Sequence, residues 1–181
     1  MQISNIWLLP GWQNSDPAHW QSLWQQSQGY HRVEQHDWMR PLRGDWLARL
    51  DEQLLDHDAH EVVLVAHSLG CQLVSFWAGH SQQTRRVKAA LLVAPPDTEQ
   101  LDVQTVLPNW APIRLQALPF PSIVVASQDD PYCRFARSQQ IAQAWGAQLI
   151  DLGPRGHINT ESQLGSWPQG LALVQQLQTQ P

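Results

Sequence analysis

Lysine is almost missing from this chain. Lys88 is the only one in 181 residues, and the arginines are scattered apart from the adjacent pair Arg85-Arg86. With a net charge of −5 and no basic stripe, nothing is set up to neutralise phosphates, so nucleic acid is a poor partner. Charged residues reach only 15 %, against roughly 25 % in ordinary soluble domains, and glutamine supplies much of the missing polarity. Cysteine is scarce too: Cys71 and Cys133 lack metal-ligand spacing, and the eight histidines contain no HExxH pair, so neither a metal nor another cofactor is expected. In a reducing compartment both thiols are most simply small buried residues, a Cys71–Cys133 disulfide being the other possibility. Long hydrophobic runs are absent. Ile6–Pro10 lacks the charged flank and length of a signal segment, and no stretch approaches a membrane span, so a cytoplasmic location is expected.

What is present is a globular composition, 43 % hydrophobic, of a length suited to one domain over residues 1–181. Apolar runs bounded by turn residues recur at Ile3–Leu9, His31–His36, Val62–Ala66, Val87–Ala94, Ser122–Ala126 and Gln148–Leu152. Helical spacing falls between most of them, at Ala18–Gln26, Asp45–Asp56, Leu69–His80 and Arg134–Trp145, and again at Leu164–Gln178. Such alternation implies an α/β fold of about six parallel strands covered by helices on both faces, with every strand's carboxyl end on one edge. Pro95–Pro121, with six prolines and no clear strand, reads as a loop with a turn of helix passing over that edge as a small cap. Trp20 and Trp24, four apart on one helix, read as packing residues.

Residues 61–70, Glu-Val-Val-Leu-Val-Ala-His-Ser-Leu-Gly, break from a strand pattern into a helical one at Ser68. This is a near-match to the nucleophile elbow, whose turn holds a serine in strained backbone with its hydroxyl above the sheet. The small residues flanking the turn are Ala66 and Gly70; the commoner pattern has glycine at both places.

A nucleophilic serine needs a base, an acid to orient the base, and donors for the oxyanion. His157 stands in a glycine-rich loop after the last strand, and Asp129-Asp130 follow the fifth. The order Ser, Asp, His is that of an α/β-hydrolase. One of the two aspartates is the expected acid, the other a cap of the loop. The oxyanion donors are expected to be the backbone N–H groups of Leu69, directly after the serine, and of Trp12, where Gly11 permits close approach. Gly11, Trp12 and Trp110 are expected to wall a small open crevice suited to short, soluble acyl groups. His19 reads as a structural hydrogen-bonding residue.

Leu9-Pro-Gly-Trp12, His19-Trp20-Gln21, Ala66-His-Ser-Leu-Gly70, Ala126-Ser-Gln-Asp-Asp-Pro-Tyr132, and Gly156-His-Ile-Asn159 followed by Gly165-Ser-Trp-Pro168 together give a more specific signature. On these strings the chain resembles, over nearly its whole length, the small α/β-hydrolases related to retinoblastoma-binding protein 9, most closely their bacterial branch. The resemblance implies a trimmed hydrolase fold with strand order 2-1-3-4-5-6, and it puts the acid at Asp130 beside Ser68 and His157. The Leu-x-Cys-x-Glu string for docking the retinoblastoma protein is absent, since Leu73 follows Cys71 and Phe135 follows Cys133 at that spacing. The function expected is a serine hydrolase acting on a small carboxylic ester. The same residues would serve a thioesterase or amidase, and an interaction protein that merely keeps the fold is the rival from another class.

Overall fold

The computed structural model describes residues 4–179. Six parallel strands, β1 (Ile6–Leu9), β2 (His31–Arg32), β3 (Val62–His67), β4 (Val87–Val93), β5 (Ser122–Ala126) and β6 (Gln148–Asp151), form one sheet in the order β2-β1-β3-β4-β5-β6. That is the expected order. The central strands are buried on both faces, and alternate residues serve the two sides. Trp7, Leu9, Leu64 and Ala66 pack under α2 (Arg43–Asp56), α3 (Leu69–Ala78) and α5 (Phe135–Trp145). Ile6, Leu8, Val63 and Val65 pack under α1 (Trp20–Gln28) and α6 (Pro168–Thr179). Among the described residues no helix is long and apolar enough to cross a membrane.

Several bounds differ from those read in the sequence, each for a local reason. The start expected for β1, Ile3, lies outside the described residues. The second strand, expected to reach His36, stops at Arg32 because its ladder ends and a side chain takes over: Gln53 accepts from Glu34 N–H and donates to the Glu34 carbonyl. The last helix begins at Pro168 rather than Leu164, as suits a residue with fixed φ and no N–H at a first helical position. Residues 95–121 contain a short helix, α4 (Leu101–Val106), and a 3₁₀ turn at Pro108–Trp110. Cys71 and Cys133 are both buried free thiols, so the disulfide does not form. Trp20 and Trp24 are core residues whose rings lie 4.6 Å apart.

At the carboxyl edge the end of β1 packs closely against the start of α3. A Cβ added to Gly70 would sit 2.2 Å from the Leu9 carbonyl oxygen, and one added to Gly11 would sit 2.9 Å from the Ser68 Cβ. Both glycines are therefore required by contact, and they bring the β1 loop against the elbow.

Candidate active site

Ser68 joins β3 to α3 with φ 53° and ψ −124°, a sparsely populated conformation for a side-chain-bearing residue. Two backbone bonds hold it there: its N–H donates to the Val93 carbonyl, and its own carbonyl accepts from Cys71 N–H, both at 2.9 Å. The hydroxyl makes no capping bond to α3. It lies instead 2.8 Å from His157 Nε2.

The other ring nitrogen of His157, Nδ1, is 3.0 and 2.9 Å from the two carboxylate oxygens of Asp130. A carboxylate only accepts, so Nδ1 carries the proton, Nε2 is left as an acceptor, and Ser68 Oγ–H is the donor. Both side chains are largely withdrawn from water, at 9 % exposure for His157 and 3 % for Asp130. Asp130 is itself fixed by accepting from Tyr132 N–H, and the Tyr132 ring stands edge-on to His157 at 4.6 Å.

The loop bearing His157 has two left-handed residues beside it, Gly156 at φ 56° and Ile158 at φ 50°. Side chains hold this strained path. His67 Nε2–H donates to the His157 carbonyl and Trp20 Nε1–H to the Ile158 carbonyl, both at 2.9 Å. Asp129 accepts from Gly156 N–H at 2.7 Å and from Ser127 O–H at 2.8 Å, while Ser127 Oγ accepts from Arg155 N–H. The Ser127 and Gly156 donors hold the exposed Asp129 carboxyl below its ordinary range. The two adjacent aspartates thus act on one loop at different points: Asp130 bonds the imidazole and Asp129 the backbone.

Across the elbow, the β1 loop runs through Gly11 and Trp12 into two left-handed residues, Gln13 and Asn14. Buried Arg32 braces it from behind, donating to Asn14 Oδ1, the Ser15 carbonyl and Ser22 Oγ. Trp12 and Leu69 border the cleft above Ser68, and among the described residues neither backbone N–H donates to a protein acceptor. The Trp12 indole is pinned by its own N–H to the Met39 carbonyl.

The cleft measures about 790 Å³. Gly11 and Trp12 are among its lining residues and Trp110 is not. That residue, expected to wall the crevice, is fully buried, packed edge-on against Trp46 and bonded through Nε1 to the Pro41 carbonyl. An indole can bury its large apolar area here and still satisfy its donor, so the core claims it. The apolar wall is made instead by Val103, Val106 and Leu107 of α4 and its end, with Pro96 and Tyr132. These residues and His67 were missed by sequence reasoning. A six-residue helix gives little periodic signal, and the place of His67 beside the serine was the one available hint. His19 caps α1 by accepting from Gln21 N–H at Nδ1, and burial drops its pKa to about 4. Among the described residues no three His, Cys, Asp or Glu side chains converge as metal ligands.

The serine hydrolase family profile matches residues 6–176. YdeN of Bacillus subtilis (strain 168), named as a hydrolase, is 29 % identical over 136 residues, covering 72 % of this chain and 70 % of YdeN. A solved YdeN-like hydrolase from Pectobacterium atrosepticum is 29 % identical with a TM-score of 0.83, over 96 % of this chain and 89 % of that one. The solved ydeN product of B. subtilis, at 23 % identity and a TM-score of 0.77 over 97 % and 98 % of the two chains, shares the fold. The sheet, its order and these likenesses are those of the α/β-hydrolase fold, and the chain belongs to the serine hydrolase family.

Proposed function

We propose that this serine hydrolase is a carboxylic-ester hydrolase working through an acyl-enzyme on Ser68, with His157 as general base and Asp130 as its orienting acid. The observation that carries this reading is the unbroken hydrogen-bonded line from Ser68 Oγ through His157 to Asp130. As Oγ attacks the ester carbonyl carbon, its proton passes to His157 Nε2, and the imidazolium that forms is stabilised by Asp130. The carbonyl oxygen takes on negative charge, for which the unused N–H groups of Leu69 and Trp12 are the donors; the first also begins a helix, whose dipole favours an anion. Collapse expels the alcohol oxygen with the proton from Nε2. A water then attacks the acyl carbon, giving its proton to the same nitrogen, and the acid leaves as Ser68 recovers its own.

The apolar wall from α4 and the small size of the 95–121 segment, with one six-residue helix and a 3₁₀ turn, support short, soluble acyl groups as substrates. Purified protein should turn over 4-nitrophenyl butyrate and be labelled by a fluorophosphonate at Ser68, with both activities lost in Ser68→Ala. Hydrolysis retained in that variant would overturn the reading.

A further inference from the structure

The two walls of the cleft come from opposite faces of the sheet, and they differ in chemistry. On the face of α2 and α3, Val103 and Leu107 join the core cluster under those helices and present, with Val106, an apolar wall. On the face of α1 and α6, the segment Asn159–Glu161 follows His157 after one residue, the buried Ile158, and faces the β1 loop, to which it is tied by Thr160 O–H donating to Asp16. This wall is polar and bears two carboxylates, Asp16 and Glu161. A third, Asp102, stands on α4, accepting from Val103 N–H. Among the described residues no lysine or arginine lines the cleft; the nearby Arg32 is buried behind the loop and engaged by Asn14, Ser15 and Ser22.

The direction of the reaction assigns the walls. His157 must hand its proton to the departing oxygen, so the leaving group lies on the His157 side, along the wall that its own loop continues. The acyl chain is left with the apolar side. We propose that the cleft is split at Ser68 into an apolar acyl half against α4 and an anionic half at Asp16 and Glu161 that selects alcohols carrying a positive charge. This rests on the ester reading above and adds the class of alcohol. The same half contains His19, nine-tenths or more buried, whose Nε2 has no protein partner among the described residues. Because Nδ1 accepts from Gln21, Nε2 holds the proton and offers a neutral donor to a substrate oxygen. Thr160 and Ala18 N–H hold the Asp16 carboxyl below its ordinary range, so it is charged at neutral pH.

Three esters sharing one acyl group test the proposal: choline butyrate, its uncharged isostere 3,3-dimethylbutyl butyrate, and 3-sulfopropyl butyrate. At low salt kcat/KM should be about fivefold higher for the cationic ester than for the isostere and lower still for the sulfonate, a modest factor because both carboxylates are exposed. The preference should shrink in high salt and approach unity in Asp16→Asn/Glu161→Gln. The ratio within each variant cancels any general loss of activity. Glu161→Gln alone, whose parent carboxylate makes no hydrogen bond or ion pair among the described residues, should remove part of the preference if the double variant folds poorly. Equal values for the three esters, with turnover intact, would overturn the division of the cleft while leaving the esterase reading standing. No turnover of any ester would overturn both.

Discussion

His67 donates its Nε2–H to the backbone carbonyl of His157 across 2.9 Å, so the residue before the proposed nucleophile holds the loop that carries the proposed base. A carbonyl can only accept, which fixes the His67 proton on Nε2. Burial, with His19 and His157 close by, keeps its pKa well below the ordinary histidine value, so it stays a neutral donor. His67→Leu would leave a buried carbonyl unpaired, costing about 1–3 kcal/mol, and would let His157 shift. The expected result is a fall of about tenfold in kcat, the equivalent of about 1.4 kcal/mol, with KM nearly unchanged, and partial recovery in His67→Gln. Steady-state kinetics on 4-nitrophenyl butyrate beside a thermal melt check this; a change confined to KM would contradict it.

The two aspartates should separate cleanly. Ser68→Ala and His157→Ala should each lower turnover by a factor on the order of 10⁶, and Asp130→Asn by roughly 10⁴, because the amide favours the wrong tautomer of His157. Asp129→Asn keeps an oxygen that accepts from Ser127 and Gly156, so its loss should be under about tenfold. A larger loss at Asp129 than at Asp130, measured as kcat on one ester, would reverse the assignment.

Acyl length should matter in a limited way. While a methylene is buried against Val103, Val106 and Leu107 it is worth about 0.8 kcal/mol, or about fourfold in kcat/KM, and beyond that wall it returns to water. A series of nitrophenyl esters should therefore peak at short chains without a jump at the micelle concentration. A maximum at long chains would mean that α4 opens a deeper channel.

Acid should destabilise the fold well above the carboxylate range. His19 is held to about 4 chiefly by burial; Arg32 and His157 lower it further, and Asp16 works against them. Below pH 6.5 the unfolded chain takes up a proton there that the folded chain refuses until about pH 4. Stability therefore falls as pH drops through that window, by about 3 kcal/mol at this one site. His67 and His31, whose pKa values are also lowered, act in the same direction. Urea midpoints at pH 7 and pH 5 should differ in the wild type and differ less in His19→Gln.

Much of this architecture could be read locally. The β-branched run Val62–Val65, the switch of period after Ser68 and the alternation of strands with helices lie within short windows, and burial on both faces makes the central strands continuous in apolar residues. Likewise Ser68, Asp130 and His157 each follow a strand and meet because parallel strands end on one edge. Edges and termini were harder to read. Whether His31–His36 stays extended depends on Gln53, a residue from α2 that competes with the sheet for Glu34.

By itself, the sequence determined a parallel sheet and which residue types reach its carboxyl edge, because hydrophobic period and turn chemistry act over a few neighbours; the strand order came only from the family resemblance. Tertiary structure alone decided the division of labour at that edge. Trp110 went to the core because Pro41, 69 residues away, offers its indole an acceptor. Asp129 and His67 became supports of the His157 loop because their bonds close across 27 and 90 residues. Val103, Val106 and Leu107 share one cleft with Asp16 and Glu161 because segments from opposite faces of the sheet meet at its carboxyl edge, a pairing that no local pattern encodes.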